Sequence, residues 1–87
     1  MIFQKNRNII LIVLEGGEKM KRTEIGKKIR LARLVKGMTQ AELAEKMHVS
    51  QGAIGSWEIG YTLPRAGNLV KLSELLDVPI DELIKAG

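Results

Sequence analysis

From Thr23 onward, apolar positions recur at helical spacing and are interrupted at short intervals by residues that end helices. Ile25, Ile29 and Ala32, followed by Val35 or Lys36, form one stripe, while Lys27, Lys28, Arg30 and Arg33 take the other faces. Thr23 is placed to cap the start of this segment and Gly37 to stop it in a left-handed residue, which predicts a first helix over about 24–36. Thr39-Gln40-Ala41-Glu42 fits a capping box, with Met38 and Leu43 at the hydrophobic-staple positions. The second helix then runs to about Lys46, with Leu43, Ala44 and Met47 facing inward. A break at Met47-His48-Val49 leads to a new N-cap, Ser50. The third helix, from Gln51 to Glu58 or Ile59, puts Ala53, Ile54 and Trp57 on one side and Gln51, Gly52, Gly55 and Ser56 on another, and Gly60 closes it. Pro64 suits the start of a fourth helix over about 65–76, with Leu69, Leu72, Leu75 and Leu76 inward and Lys71 and Glu74 outward. Val78-Pro79 then breaks the chain before a last short helix, Ile80 to Ala86, that carries Leu83 and Ile84. The pattern is that of an all-α domain of five short helices around one core.

The first nineteen residues do not share this pattern. Ile9 to Leu14 is an unbroken apolar run of six, far short of the roughly 20 residues needed to span a bilayer. Lys5 and Arg7 precede it, but Glu15-Gly16-Gly17-Glu18 is not a small-residue cleavage site. As structure the run could be a strand that pairs with something, or a sticky exposed segment. Glu15 through Met20 can also be encoded as GAA-GGA-GGT-GAA-AAA-ATG, which contains a strong bacterial ribosome-binding sequence before a start codon. We therefore expect Met20 to be the physiological start, residues 1–19 to be a leader, disordered or a non-native extension, and residues 20–87 to be the working domain.

Composition narrows the chemistry. A chain of 87 residues has room for one domain and one modest core. With no cysteine it has no disulfide staple, thiolate site or cysteine nucleophile. A single His, and no carboxylate pair on one predicted apolar face, leave neither a metal site nor a cofactor site nor a hydrolase to be expected, so the chain reads as a non-enzyme. The net charge of +4 is unevenly spread: Lys21 to Lys36 holds seven basic residues against the one acid Glu24, whereas residues 37–87 are net acidic. That asymmetry puts a basic footprint at one end of the domain, suited to an anionic partner, although a basic helix face is often only solvated.

Residues 39–51, followed by Ile54, Trp57-Glu58 and Gly60, resemble the Cro/cI (Xre) helix-turn-helix family, the lambda-repressor-like DNA-binding domains of phage and bacterial regulators. The likeness continues upstream through Ile25-Gly26, Ile29-Arg30, Arg33 and Gly37, and downstream through Pro64, Leu69, Leu72, Leu76, Val78, Asp81 and Leu83. It implies that the second helix crosses the phosphate backbone and the third lies in the major groove of double-stranded DNA. Gln40 and the free N–H groups around it would then meet a phosphate, and the resemblance implies that Gln40 also braces Gln51. Gln51 suits a bidentate contact with adenine. Ser50, Gly52, Gly55 and Ser56 line the same face, and Arg30 and Arg33 are candidate phosphate clamps. Arg33 has a second reading, an internal pair with Glu58, and Gln51 a second one as solvated surface. Two departures from the family pattern stand out: His48 occupies the left-handed turn position where glycine is usual, and Gly55 a position that is often serine.

The function expected is a sequence-specific transcriptional regulator, of the repressor kind, acting in the bacterial cytoplasm at the nucleoid. The resemblance further implies homodimers on pseudo-palindromic operators, and Ile80, Leu83 and Ile84 of the last helix are the candidate dimer surface. The alternative is an antitoxin or anti-regulator that uses the same fold to hold a partner protein.

Overall fold

The computed structural model describes the backbone of residues 7–84 and the side chains of residues 21–84. Its elements are the helices α1 (Arg7–Val35), α2 (Gln40–Met47), α3 (Gln51–Ile59), α4 (Ala66–Leu76) and α5 (Ile80–Ile84), with no strand among the described residues. The all-α, five-helix expectation holds, and boundaries from α2 to α4 fall within a residue of those expected. The first helix differs. It does not begin at a Thr23 cap; the helical backbone starts at Arg7 and passes through Thr23. The segment of the Ile9–Leu14 run is therefore helical rather than a strand. Nothing between Arg7 and Thr23 is a proline, and the helix runs through Gly16-Gly17, a pair that costs about 1 kcal/mol per glycine relative to alanine without ending it. Of the expected leader, residues 1–19, residues 1–6 and the side chains of the rest lie outside the described residues, as do residues 85–87.

Four helices end in the same way, which is why short segments can turn so sharply. Gly37 N–H donates to Leu34 C=O (3.0 Å) and Met38 N–H to Arg33 C=O (3.1 Å), a Schellman motif with Gly37 left-handed at φ 72. The same pairing of bonds recurs at His48 with Val49 and at Gly60 with Tyr61, and Val78 N–H donates to Ser73 C=O across the left-handed Asp77. Met38, Val49 and Val78, each just past its helix end, pack against the core. Only two of the four left-handed residues are glycine. His48 (φ 59) takes the place of one, as its position in the turn predicts, and a β-carbon in that conformation costs about 1–2 kcal/mol. His48→Gly is expected to stabilise the domain by about 1 kcal/mol, read as a higher urea midpoint.

The core is Ile25, Ile29, Leu43, Ala44, Met47, Ile54, Trp57, Leu72, Leu76 and Leu83, so all five helices contribute. Trp57 is core, as its place beside Ile54 predicts. Val35, one of the two positions offered to continue the first stripe, is 79% exposed and takes no part. Leu83 corrects the dimer surface: its side chain is fully buried, so it holds α5 to the domain and cannot meet a second copy. A helix as short as α5 docks through one inward residue, and Ile80 and Ile84 are left exposed on either side of it.

α1 packs chiefly on α3, and the closeness of that crossing depends on two glycines. A Cβ on Gly26 would lie 2.3 Å from the carbonyl oxygen of Trp57 and 2.6 Å from that of Glu58. A Cβ on Gly60 would lie 2.8 Å from the Cα of Thr23. Arg22 Nε adds a hydrogen bond to the Gly60 carbonyl (3.3 Å), so the C-terminal end of α3 is seated directly on the backbone of α1.

Candidate nucleic-acid interface

The local chemistry of α2 and α3 sets the interface. The capping box is complete: Glu42 N–H donates to Thr39 Oγ1 (3.0 Å) and Thr39 N–H donates to Glu42 Oε1 (2.8 Å). The box leaves the N–H groups of Gln40 and Ala41, in the first turn of α2, pointing out of the helix for an outside acceptor. At the start of α3, Ser50 Oγ accepts from Ala53 N–H (3.0 Å), which leaves the hydroxyl proton of Ser50 to donate elsewhere. Between the caps, the left-handed His48 turns the chain so that α2 and α3 meet through Leu43, Ala44, Met47 and Ile54.

A buried polar cluster holds the two helices against α1. Arg33, 7% exposed, donates through Nε to Glu58 Oε2 (2.5 Å) and through Nη2 to Glu58 Oε1 (2.9 Å), and its Nη1 donates to the Met38 carbonyl (2.8 Å). The bidentate geometry is the one a guanidinium fork and a carboxylate favour. The hydrogen bonds to Glu58 raise the pKa of the guanidinium; burial works against them, and the charge of the carboxylate adds to them. Gln40 Nε2 donates to the same Glu58 Oε1 (3.0 Å). Both findings correct the expectations. Arg33 is not a phosphate clamp, because its guanidinium is buried with Nε, Nη1 and Nη2 each donating inside the domain, and the internal pair with Glu58 is the reading that holds. The brace from Gln40 runs to Glu58 rather than to Gln51. The cluster thus ties α1, the start of α2 and the end of α3 together.

With Ile54, Trp57 and Glu58 buried, the opposite face of α3 points outward and carries Gly52, Gly55, Ser56 and Ile59, with Gln51 at its edge. Gln51 is exposed, and Ser56 Oγ shares a hydrogen bond with Thr62 Oγ1 (2.9 Å). The two glycines on this face have no internal reason to be there. A Cβ on Gly52 would meet nothing nearer than Ser50 Oγ at 3.8 Å, and one on Gly55 would rest at 3.9 Å from the Gln40 amide. Both have ordinary helical φ, so each weakens the isolated helix by up to about 1 kcal/mol relative to alanine. Arg30 is exposed on α1, one turn from Gly26 and one from Arg33, along the edge that faces α3.

Much of the basic charge expected on the first helix is occupied: Arg33 by Glu58, Lys36 by Asp77, and Lys27 by Glu24 at 4.0 Å. Sequence reading missed the anchoring of Gln40 to Glu58 and the exposure of Ile59. The first had no signal in local spacing. The second followed from helical phase, which puts Ile59 seven residues after Gly52 on the outward stripe.

The helix-turn-helix family model matches residues 29–83, which takes in the α2–turn–α3 unit and the helices that carry it. The chain belongs to the Cro/cI (Xre) helix-turn-helix family. It is 39% identical over 61 residues to the HTH-type transcriptional activator BcrR of Enterococcus faecalis, covering 70% of this chain and 30% of that protein. It is 37% identical over 60 residues to the HTH-type transcriptional regulator ImmR of Bacillus subtilis (strain 168), covering 69% of this chain and 47% of the other. A third relative is the cryptic phage CTXphi transcriptional repressor RstR of Vibrio cholerae serotype O1, 40% identical over 45 residues, or 52% of this chain and 40% of that one. The matched part is less than half the length of each of these three regulators. Within this helix-turn-helix, α3 stands in the place of the recognition helix and α2 in that of the helix before it. No helix among the described residues is long and apolar enough to cross a membrane.

Proposed function

We propose that the chain is a sequence-specific regulator of transcription that binds duplex DNA through the outward face of α3. The observation that carries this reading is the division of α3 itself. Its inner face is locked by the core and by the Arg33–Glu58–Gln40 cluster, while its outer face holds Gln51, two sterically idle glycines and no internal contact that explains them. A rigid helix with a cleared outer face matches what entering the major groove requires. Gln51 pairs with adenine N6 and N7, Gly52 and Gly55 let the backbone come close, and Ser56 offers its hydroxyl. The open N–H groups at the start of α2, the Gln40 amide, the Ser50 hydroxyl and Arg30 hold phosphates on either side.

Repression is the mode that such a domain performs unaided, because occupying an operator needs only binding. Ile80 and Ile84 supply an apolar contact between two copies on a pseudo-palindrome with half-sites about one helical turn apart. The reading places the protein with the DNA, in the bacterial cytoplasm, and gives it no catalytic role. Selection of bound sequences from random duplex DNA, followed by titration against salt, is the test. One sequence class is expected to be enriched, with log affinity falling linearly against log salt as condensed counterions are released. Affinity that stays level from low to physiological salt would overturn the reading. Gln51→Ala is expected to lose about 1–3 kcal/mol of discrimination at one base pair of the selected site, measured against single-base variants of it.

A further inference from the structure

The outward stripe of α3 has a chemical character of its own. No Lys or Arg occurs between Gln51 and Ile59, so the side chains that most often read guanine are missing. Glu58, whose carboxylate could have accepted from cytosine, is buried against Arg33. The Ser56 hydroxyl is shared with Thr62, which leaves the Gln51 amide as the freely exposed hydrogen-bonding side chain of the helix. The stripe ends in Ile59, an aliphatic side chain that is 74% exposed, while Ile54 and Trp57 on the inner face are buried. Between Gln51 and Ile59, a Cβ on Gly52 or Gly55 would meet the protein only at ordinary contact distance, 3.8 Å from Ser50 Oγ and 3.9 Å from the Gln40 amide, so each position has room for about one methyl group.

Among the base edges shown in the major groove, thymine alone projects a methyl group, and adenine alone offers the adjacent donor and acceptor that a glutamine amide matches. Resting on the reading of α3 as the groove helix, we propose that this face selects A·T-rich half-sites. Thymine 5-methyl groups seat over Gly52 and Gly55 and against Ile59, and Gln51 takes an adenine at the edge of the same stripe. The idle glycines and the exposed isoleucine then have one common explanation, the removal of thymine methyl groups from water.

The test uses the full chain and the duplex selected above, with each thymine of the half-site replaced in turn by deoxyuridine. This removes the methyl group and leaves the hydrogen-bonding edge intact. Affinity is expected to fall about three- to fivefold at each contacted thymine, the factor for one buried methyl group. Ile59→Ala is expected to weaken binding to the thymine duplex and to have little further effect on the duplex that carries uracil at its contact. The side chain is exposed, so the urea midpoint of the variant should match that of the parent. A selected half-site dominated by G·C pairs, or one whose affinity is the same for every uracil substitution, would overturn the proposal while leaving specific DNA binding in place. Failure to prefer any duplex would overturn the DNA-binding reading itself, and this proposal with it.

Discussion

Arg33→Met is expected to destabilise the domain by about 3–5 kcal/mol, enough to unfold much of a population this small at ordinary temperature. The cost does not come from losing the attraction between the two charges, since burying an ion pair often gains little over burying apolar groups. It comes from Glu58, whose carboxyl would be left in the interior without the guanidinium fork that satisfies both its oxygens. Gln40 would still donate one hydrogen bond, too little for a buried charge. The double variant Arg33→Met with Glu58→Leu is expected to recover most of the loss, because no unpaired charge then remains. Urea unfolding of the two single variants and the double variant makes the comparison. A single variant within 1 kcal/mol of the parent would show that the cluster does not hold the helices together.

Gly26→Ala is the second large effect, and its sign is the informative part. Helix propensity alone favours alanine within α1 by up to about 1 kcal/mol. The new methyl group, however, would lie 2.3 Å from one α3 carbonyl oxygen and 2.6 Å from the next, and both are backbone atoms at the seated end of that helix. Relief requires α1 and α3 to move apart, which opens the packing around Ile29, Ile54 and Trp57; a loss of about 3 kcal/mol or more is expected. Gly52→Ala is the matched control, because its new methyl group meets only Ser50 Oγ at an ordinary 3.8 Å and should raise stability by about 0.5–1 kcal/mol. Thermal melts read both, at about 4–8 °C per kcal/mol for a domain of this size. If the two alanine variants shifted in the same direction, the α1–α3 contact would not be the tight one described.

The helix ends were readable from the chain itself. Thr39 with Glu42, Ser50, and the stops at Gly37, His48 and Gly60 all act over five residues or fewer, so spacing alone displays them. The glycine-free turn at His48 was legible for the same reason. The start of α1 was not, because Thr23 has the identity of a cap but the Gly16-Gly17 pair before it does not stop the helix, and a cap forms only where the helix actually begins. Leu83 was misplaced because apolar spacing in a five-residue helix does not say which residue faces the domain.

The sequence by itself therefore determined where this protein turns, which faces of its longer helices are apolar, and that Gln51 stands at the head of a helix with one polar face. What only the tertiary structure decided are matters of long-range contact. Arg33 finds Glu58 across 25 residues, and this removes an expected phosphate contact from the surface. Gly26 is forced by a neighbouring backbone while Gly52 and Gly55 are not, although propensity treats all three alike. The physical reason is the same in each case: a side chain's donors, volume and charge are committed by whatever the fold brings against it, and helical periodicity carries no record of the partner.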